Sequence, residues 1–127
     1  MRYLGIDYGT KRVGIAVSDE EGKFTFPLIV LENSPGLITE IAELCKENSI
    51  AEIVVGKSQD FDFKDNEIMK EITPFAEELR KNTGLVVSMH PEFLTSMEAE
   101  RLQGKNDMLD ASAAALILKS FLETKKN

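Results

Sequence analysis

The apolar positions change their period along the chain, and the changes mark out its elements. Residues 3–8 (YLGIDY) and 12–19 (RVGIAVSD) alternate around glycine and β-branched residues, with Tyr8-Gly9-Thr10-Lys11 between them. This predicts an antiparallel hairpin. After Glu21-Gly22, the run from Lys23 to Leu31 predicts a third strand. The spacing then becomes helical: Leu37, Ile38, Ile41, Ala42, Leu44 and Cys45 share one face, with Ser34 as N-cap and Pro35 as first helical residue. AEIVVG, 51–56, is a continuous apolar run typical of a strand buried on both faces, and Lys57 to Phe63 read as a loop.

A second amphipathic helix is predicted from about Asp65 through Ile68, Met69, Ile72, Phe75, Ala76 and Leu79, kinked at Pro74 and stopped at Gly84. LVVSMH, 85–90, predicts another buried strand whose ladder Pro91 closes. Thr95 and Glu98 fit a capping box for a short helix to about Gln103, ended by Gly104. The last helix starts near Asp107 and carries Leu109, Ala113, Ala114, Ile117, Leu118, Phe121 and Leu122. The order predicts an α/β fold: a five-stranded mixed sheet, three antiparallel strands then two parallel, with helices on both faces.

Length and composition narrow the picture. A chain of 127 residues with 43% hydrophobic content predicts a single domain over 1–127. No stretch approaches the roughly 20 apolar residues of a membrane span, and no signal-like segment opens the chain, so a cytoplasmic protein with no membrane partner is expected. The one cysteine, Cys45, falls among core positions and has no partner for an internal disulfide. The net charge of −7 argues against broad adhesion to nucleic acid. A nucleic-acid substrate would need a local basic rim or bound cations.

Asp7 changes the question, because it sits inside an apolar strand. A buried lone carboxylate costs several kcal/mol unless paired or bound to a cation. Asp7 ends the first strand, Glu92 follows the fifth, and Asp110, with Asp107 three residues earlier, opens the last helix. In a mixed sheet the first strand is usually central, so the carboxyl ends of its parallel neighbours lie beside it. Carboxylates converging there repel unless a hard cation such as Mg²⁺ or Mn²⁺ neutralises them, a cluster suited to two-metal phosphodiester chemistry. Spacing alone leaves plainer roles open. Asp107 and Asp110 also suit a helix cap, Glu92 a loop acid, and Asp7 a salt bridge to Lys11 or Arg12.

Lys11 and Arg12, at the hairpin tip, suit a phosphate clamp or a solvated turn. Gly9 is expected to take a positive φ there and to let backbone approach a substrate. His90 is the only histidine, which excludes a His-rich zinc site or a Ser-His-Asp triad within one chain; at a strand end it reads as structural.

The segment IDYGTKRVGIAVSD resembles the N-terminal signature of the YqgF family, Holliday-junction-resolvase-like proteins also described as nucleases for the precursor of small-subunit ribosomal RNA. The resemblance continues in PEFLTSMEA, 91–99, and in MLDASAAALILKSFL, 108–122, and so spans almost the whole chain. It implies an RNase H-like fold with Asp7, Glu92 and Asp110 as catalytic, metal-binding acids and Asp107 as a fourth. It also implies Mg²⁺ or Mn²⁺ as cofactor, with a nucleic-acid partner: ribosomal-RNA precursor first, branched DNA second. Gly9, Lys11, Arg12 and Lys57 are the expected substrate contacts. Pro91 and Phe93 replace an acid and an arginine usual in the family, the loop after the fourth strand is Gly56-Lys57-Ser58, and the basic stretch before Asp110 is thinned to Arg101 and Lys105.

Three readings follow. The first is a metal-dependent nuclease, processing ribosomal-RNA precursor or resolving junctions. The second is a sugar-kinase-like nucleotide-binding module, which the short chain disfavours. The third is a non-catalytic RNase H-like interaction module. RNA against DNA, cleavage specificity and monomer against homodimer are not legible in the sequence.

Overall fold

A computed structural model describes residues 1–58, 69–92 and 109–125, and the side chains of all of these except 57, 58, 92, 109 and 110. Five strands, β1 (Arg2–Tyr8), β2 (Arg12–Ser18), β3 (Thr25–Glu32), β4 (Ile50–Ser58) and β5 (Val86–Glu92), form one sheet in the order β3-β2-β1-β4-β5. The β1–β2 and β2–β3 pairs are antiparallel, whereas β1–β4 and β4–β5 are parallel. The helices are α1 (Leu37–Glu47), α2 (Met69–Thr83) and α3 (Leu109–Lys125). The predicted five-stranded mixed sheet is therefore present, with β1 central.

Strand alternation explains how both faces are filled. Leu4 and Ile6 of β1, Val13 and Ile15 of β2, and Ile53 and Val55 of β4 point to one face, where Leu37, Ile41, Ile72 and Leu79 of α1 and α2 cover them. Tyr3 and Val54 point the other way, against Ile117, Leu118 and Leu122 of α3. Burial of each large aliphatic chain contributes roughly 1.5–3 kcal/mol. Cys45 lies in the first cluster as expected, and burial pushes its thiol up to about 11.

Several predicted boundaries move, each for a local reason. The third strand begins at Thr25, not Lys23. Asp19 Oδ1 accepts the backbone N–H groups of Lys23 (2.8 Å) and Phe24 (3.2 Å), which holds both residues in a turn. Ser34 is not the N-cap of α1: that position is Gly36, and the Ser34 carbonyl accepts the Leu37 N–H at 3.1 Å, leaving Ser34 and Pro35 in the preceding turn. Lys57 is a strand residue rather than a loop residue, because β4 runs on to Ser58.

Pro91 does not close β5; it pairs with Lys57, and the strand ends at Glu92. An edge strand has a neighbour on one side only, so it accommodates a residue without an N–H. Helix α2 continues across Pro74 and ends before Gly84, whose φ is +70° and whose N–H reaches the Arg80 carbonyl at 3.0 Å. The short helix predicted at 95–103, and the starts predicted near Asp65 and Asp107, lie outside the described residues. Among the described residues no helix is long and apolar enough to cross a membrane.

Candidate active site

Asp7 is the penultimate residue of β1, opposite Gly14 of β2 and one position beyond the Ile6–Val55 pair with β4. It is half-buried and shares the strand parity of Tyr3 and Gly5, the side on which α3 packs. At the same end of the sheet, β4 and β5 finish with Ser58 and Glu92 as register partners. Two strand spacings separate β1 from β5.

The placement of α3 follows from Gly5. A Cβ there would stand 2.8 Å from the Leu118 Cβ and 2.9 Å from the Ala114 carbonyl oxygen. Only glycine permits so close an approach of helix to strand. Leu118 and Leu122 gather with Tyr3, while Ala114 lies level with Gly5, so α3 runs antiparallel to β1. Four helical residues rise about 6 Å and two strand residues about 6.6 Å. Asp110, one turn before Ala114, thus comes in toward the end of β1 that carries Asp7.

Glu92 and Asp110 are placed here by their backbones, while Asp107 lies outside the described residues. Among the described residues no three His, Cys, Asp or Glu side chains converge, a set that includes Asp7 alone of the four predicted acids.

The hairpin tip stands next to Asp7. Tyr8–Val13 is the last β1–β2 pair, so Gly9, Thr10 and Lys11 form the connection and Arg12 begins β2. Thr10, Lys11 and Arg12 are exposed. Gly9 does not have the expected positive φ; among the described glycines only Gly22 and Gly84 do. Its glycine requirement has another cause: a Cβ would meet the Arg12 carbonyl oxygen at 2.5 Å, across the closed turn.

Two polar contacts were not legible in sequence. Asn33, just past β3, donates its side-chain amide to the Gly9 carbonyl (2.9 Å) and its backbone N–H to the Lys11 carbonyl (2.9 Å). In sequence it was one polar residue before Ser-Pro-Gly and carried no periodic signal. His90, level with Gly56, has Nε2 2.9 Å from Ser120 Oγ and its ring edge-on to Phe121 at 5.8 Å. Burial lowers the imidazole pKa from its ordinary value, which favours the neutral ring and a structural role joining β5 to α3.

Comparison with known proteins agrees with this architecture. Residues 1–124 match the family described as RuvX, Holliday junction resolvase. A protein of Nitratidesulfovibrio vulgaris named "Putative pre-16S rRNA nuclease" is 38% identical over 132 residues, covering 96% of this chain and 93% of that protein. A Bacillus thuringiensis protein of the same name is 35% identical over 137 residues, covering 98% and 100%. The RuvC structure of Thermus thermophilus superposes with a TM-score of 0.62 at 17% identity, over 99% of this chain and 96% of that one, a likeness of fold. With its hairpin signature, its central β1 and its Ala-rich last helix all falling inside that nearly full-length match, the chain belongs to the RuvX family of Holliday junction resolvases, the YqgF proteins it resembled in sequence.

Proposed function

We propose that this chain is a cytoplasmic, metal-dependent nuclease acting as a single domain, and that it hydrolyses phosphodiester bonds in structured nucleic acid. Its favoured substrate is the 5′ end of the precursor of 16S ribosomal RNA, in ribosome biogenesis. What supports this reading is that β1 and β5, each parallel to β4, end on the same side of the sheet, and that α3, packed on Gly5 and antiparallel to β1, begins toward that end. Asp7, Glu92 and Asp110 stand at those three termini. The relatives' names support the nuclease class and the RNA substrate.

The proposed donors are all carboxylate oxygens, and the only imidazole is engaged with Ser120. Such a set fits Mg²⁺ or Mn²⁺ and disfavours Zn²⁺. Asp7, Glu92 and Asp110 would hold the ions, with Asp107 as a fourth acid. When bound, the ions supply an activated water and neutralise charge at the phosphate. The rest falls to the chain: Lys11 and Arg12 hold the neighbouring phosphates, Gly9 keeps the turn low enough for a strand to approach, and Lys57 adds positive charge at the end of β4.

Purified protein incubated with Mn²⁺ and labelled single-stranded RNA, precursor ribosomal RNA, duplexes and four-way DNA junctions tests this reading. Cleavage of the precursor RNA that stops in excess EDTA is expected. Full-rate cleavage in EDTA overturns the metal assignment. Cleavage of junctions alone favours the resolvase reading, which the family description supports. No cleavage of any substrate favours a non-catalytic module, the reading that Pro91 and Phe93 suggest.

A further inference from the structure

The hairpin tip that carries Lys11 and Arg12 has little packing of its own. Thr10, Lys11 and Arg12 are exposed, and the β1–β2 ladder ends at Tyr8–Val13. What fixes the connection comes from a different part of the chain. Arg12 pairs with Glu32 of β3, and the next residue, Asn33, extends that ladder by donating its N–H to the Lys11 carbonyl at 2.9 Å. The Asn33 side chain then crosses the turn and donates to the Gly9 carbonyl, also at 2.9 Å. One half-buried residue thereby grips the carbonyls on both sides of Thr10.

The geometry points to Asn33 as a positioning residue: it locks the Gly9–Lys11 turn, and so sets where the Lys11 and Arg12 cations stand relative to Asp7. This rests on the reading that those cations hold substrate phosphate. A carboxamide suits the task because it carries two N–H donors, whereas an ionised carboxylate of the same shape carries none. Fixing the turn before the substrate arrives removes the ordering cost from binding. The contribution should therefore appear in KM and leave kcat alone, since Asn33 contacts neither Asp7 nor the ends of β5 and α3 in any described bond.

Two variants isolate the side-chain bond while leaving the backbone bond to Lys11 in place: Asn33→Ala, and Asn33→Asp, which keeps the volume and loses the donor. One hydrogen bond lost corresponds to roughly a five- to tenfold rise in KM for the cleaved substrate, with kcat within about twofold of the parent. Mn²⁺ affinity is expected to be unchanged, and amide hydrogen exchange faster at residues 10–12 only. In a Lys11→Ala, Arg12→Ala background the Asn33 variants should have no further effect on KM.

An unchanged KM in both variants overturns the assignment, as does an equal KM rise in the background without the two cations. A KM rise in the Ala variant alone assigns the effect to volume and also overturns it. If Asn33→Ala fails to fold, Asn33→Asp, which keeps the volume, decides alone; if Asn33→Asp fails, the background without the two cations decides for Asn33→Ala; failure of both shows a stability role instead. A parent protein that neither cleaves nor binds the substrates overturns the nuclease reading and this proposal together. A cleaving parent with insensitive Asn33 variants overturns this proposal alone.

Discussion

Asp7 was the residue that sequence singled out, and its position at the carboxyl end of the central strand makes its two roles separable. If it shares a metal with Glu92 and Asp110, the carboxylates repel one another without metal. Asp7→Asn should then leave stability unchanged or raise it by about 1 kcal/mol, while abolishing cleavage. It should also remove most of the stabilisation that Mn²⁺ gives the parent, because an ion bound only to the folded state raises stability by mass action. If Asp7 instead serves a buried ion pair, the same change costs roughly 3–5 kcal/mol whether or not metal is present. Thermal melts of both proteins with and without Mn²⁺ distinguish the two; a large, metal-independent drop would sink the catalytic role.

At the scale of elements, the contact between β1 and α3 governs how near Asp110 comes to Asp7. Its tolerance is set by Gly5, where any Cβ collides with the Leu118 Cβ and the Ala114 carbonyl. Neither obstacle is the far end of a flexible side chain, so α3 itself must move. Gly5→Ala is expected to destabilise by about 1–3 kcal/mol, the usual range for overpacking a tight core. It should also lower kcat more than it raises KM, because it shifts an element bearing an acid and leaves the hairpin tip untouched. Melting curves and steady-state kinetics check both parts; a kcat equal to the parent's would show that α3 does not carry a reacting group.

The whole molecule carries a net charge of −7, so affinity for a polyanion has to come from a few local cations. The resemblance to the YqgF family implies an arginine at the position that Phe93 occupies. Phe93→Arg should tighten substrate binding and steepen the dependence of log K on log salt by about one phosphate contact. Titrations at several salt concentrations measure this, and an unchanged slope would show that position 93 does not face the substrate.

Much of this molecule was determined by its sequence alone. Alternation, continuous apolar runs and period-3.6 spacing located every described strand and helix, since each element buries apolar residues in a spacing that its backbone geometry imposes. The run at 51–56 read as a strand covered on both sides, and β4 is one. The signature around Asp7 pointed to the family that the comparisons found. Boundaries were the weaker part. The Asp19-held turn and the start of α1 at Gly36 depend on short-range hydrogen bonds that hydrophobic periodicity does not register, and the continuation of β5 through Pro91 depends on its pairing with β4.

Only the tertiary structure decided three further things. It showed that Gly9 is required by the Arg12 carbonyl rather than by its own φ, that Gly5 admits α3 against β1, and that Asn33 reaches back 24 residues to hold the hairpin turn. The Gly5 and Asn33 contacts join segments far apart in the chain, and the Gly9 contact depends on how the hairpin turn closes. Hydrophobic periodicity records which side of an element faces the core; which atom of another element waits there is fixed only when the sheet order and the helix crossing are both in place.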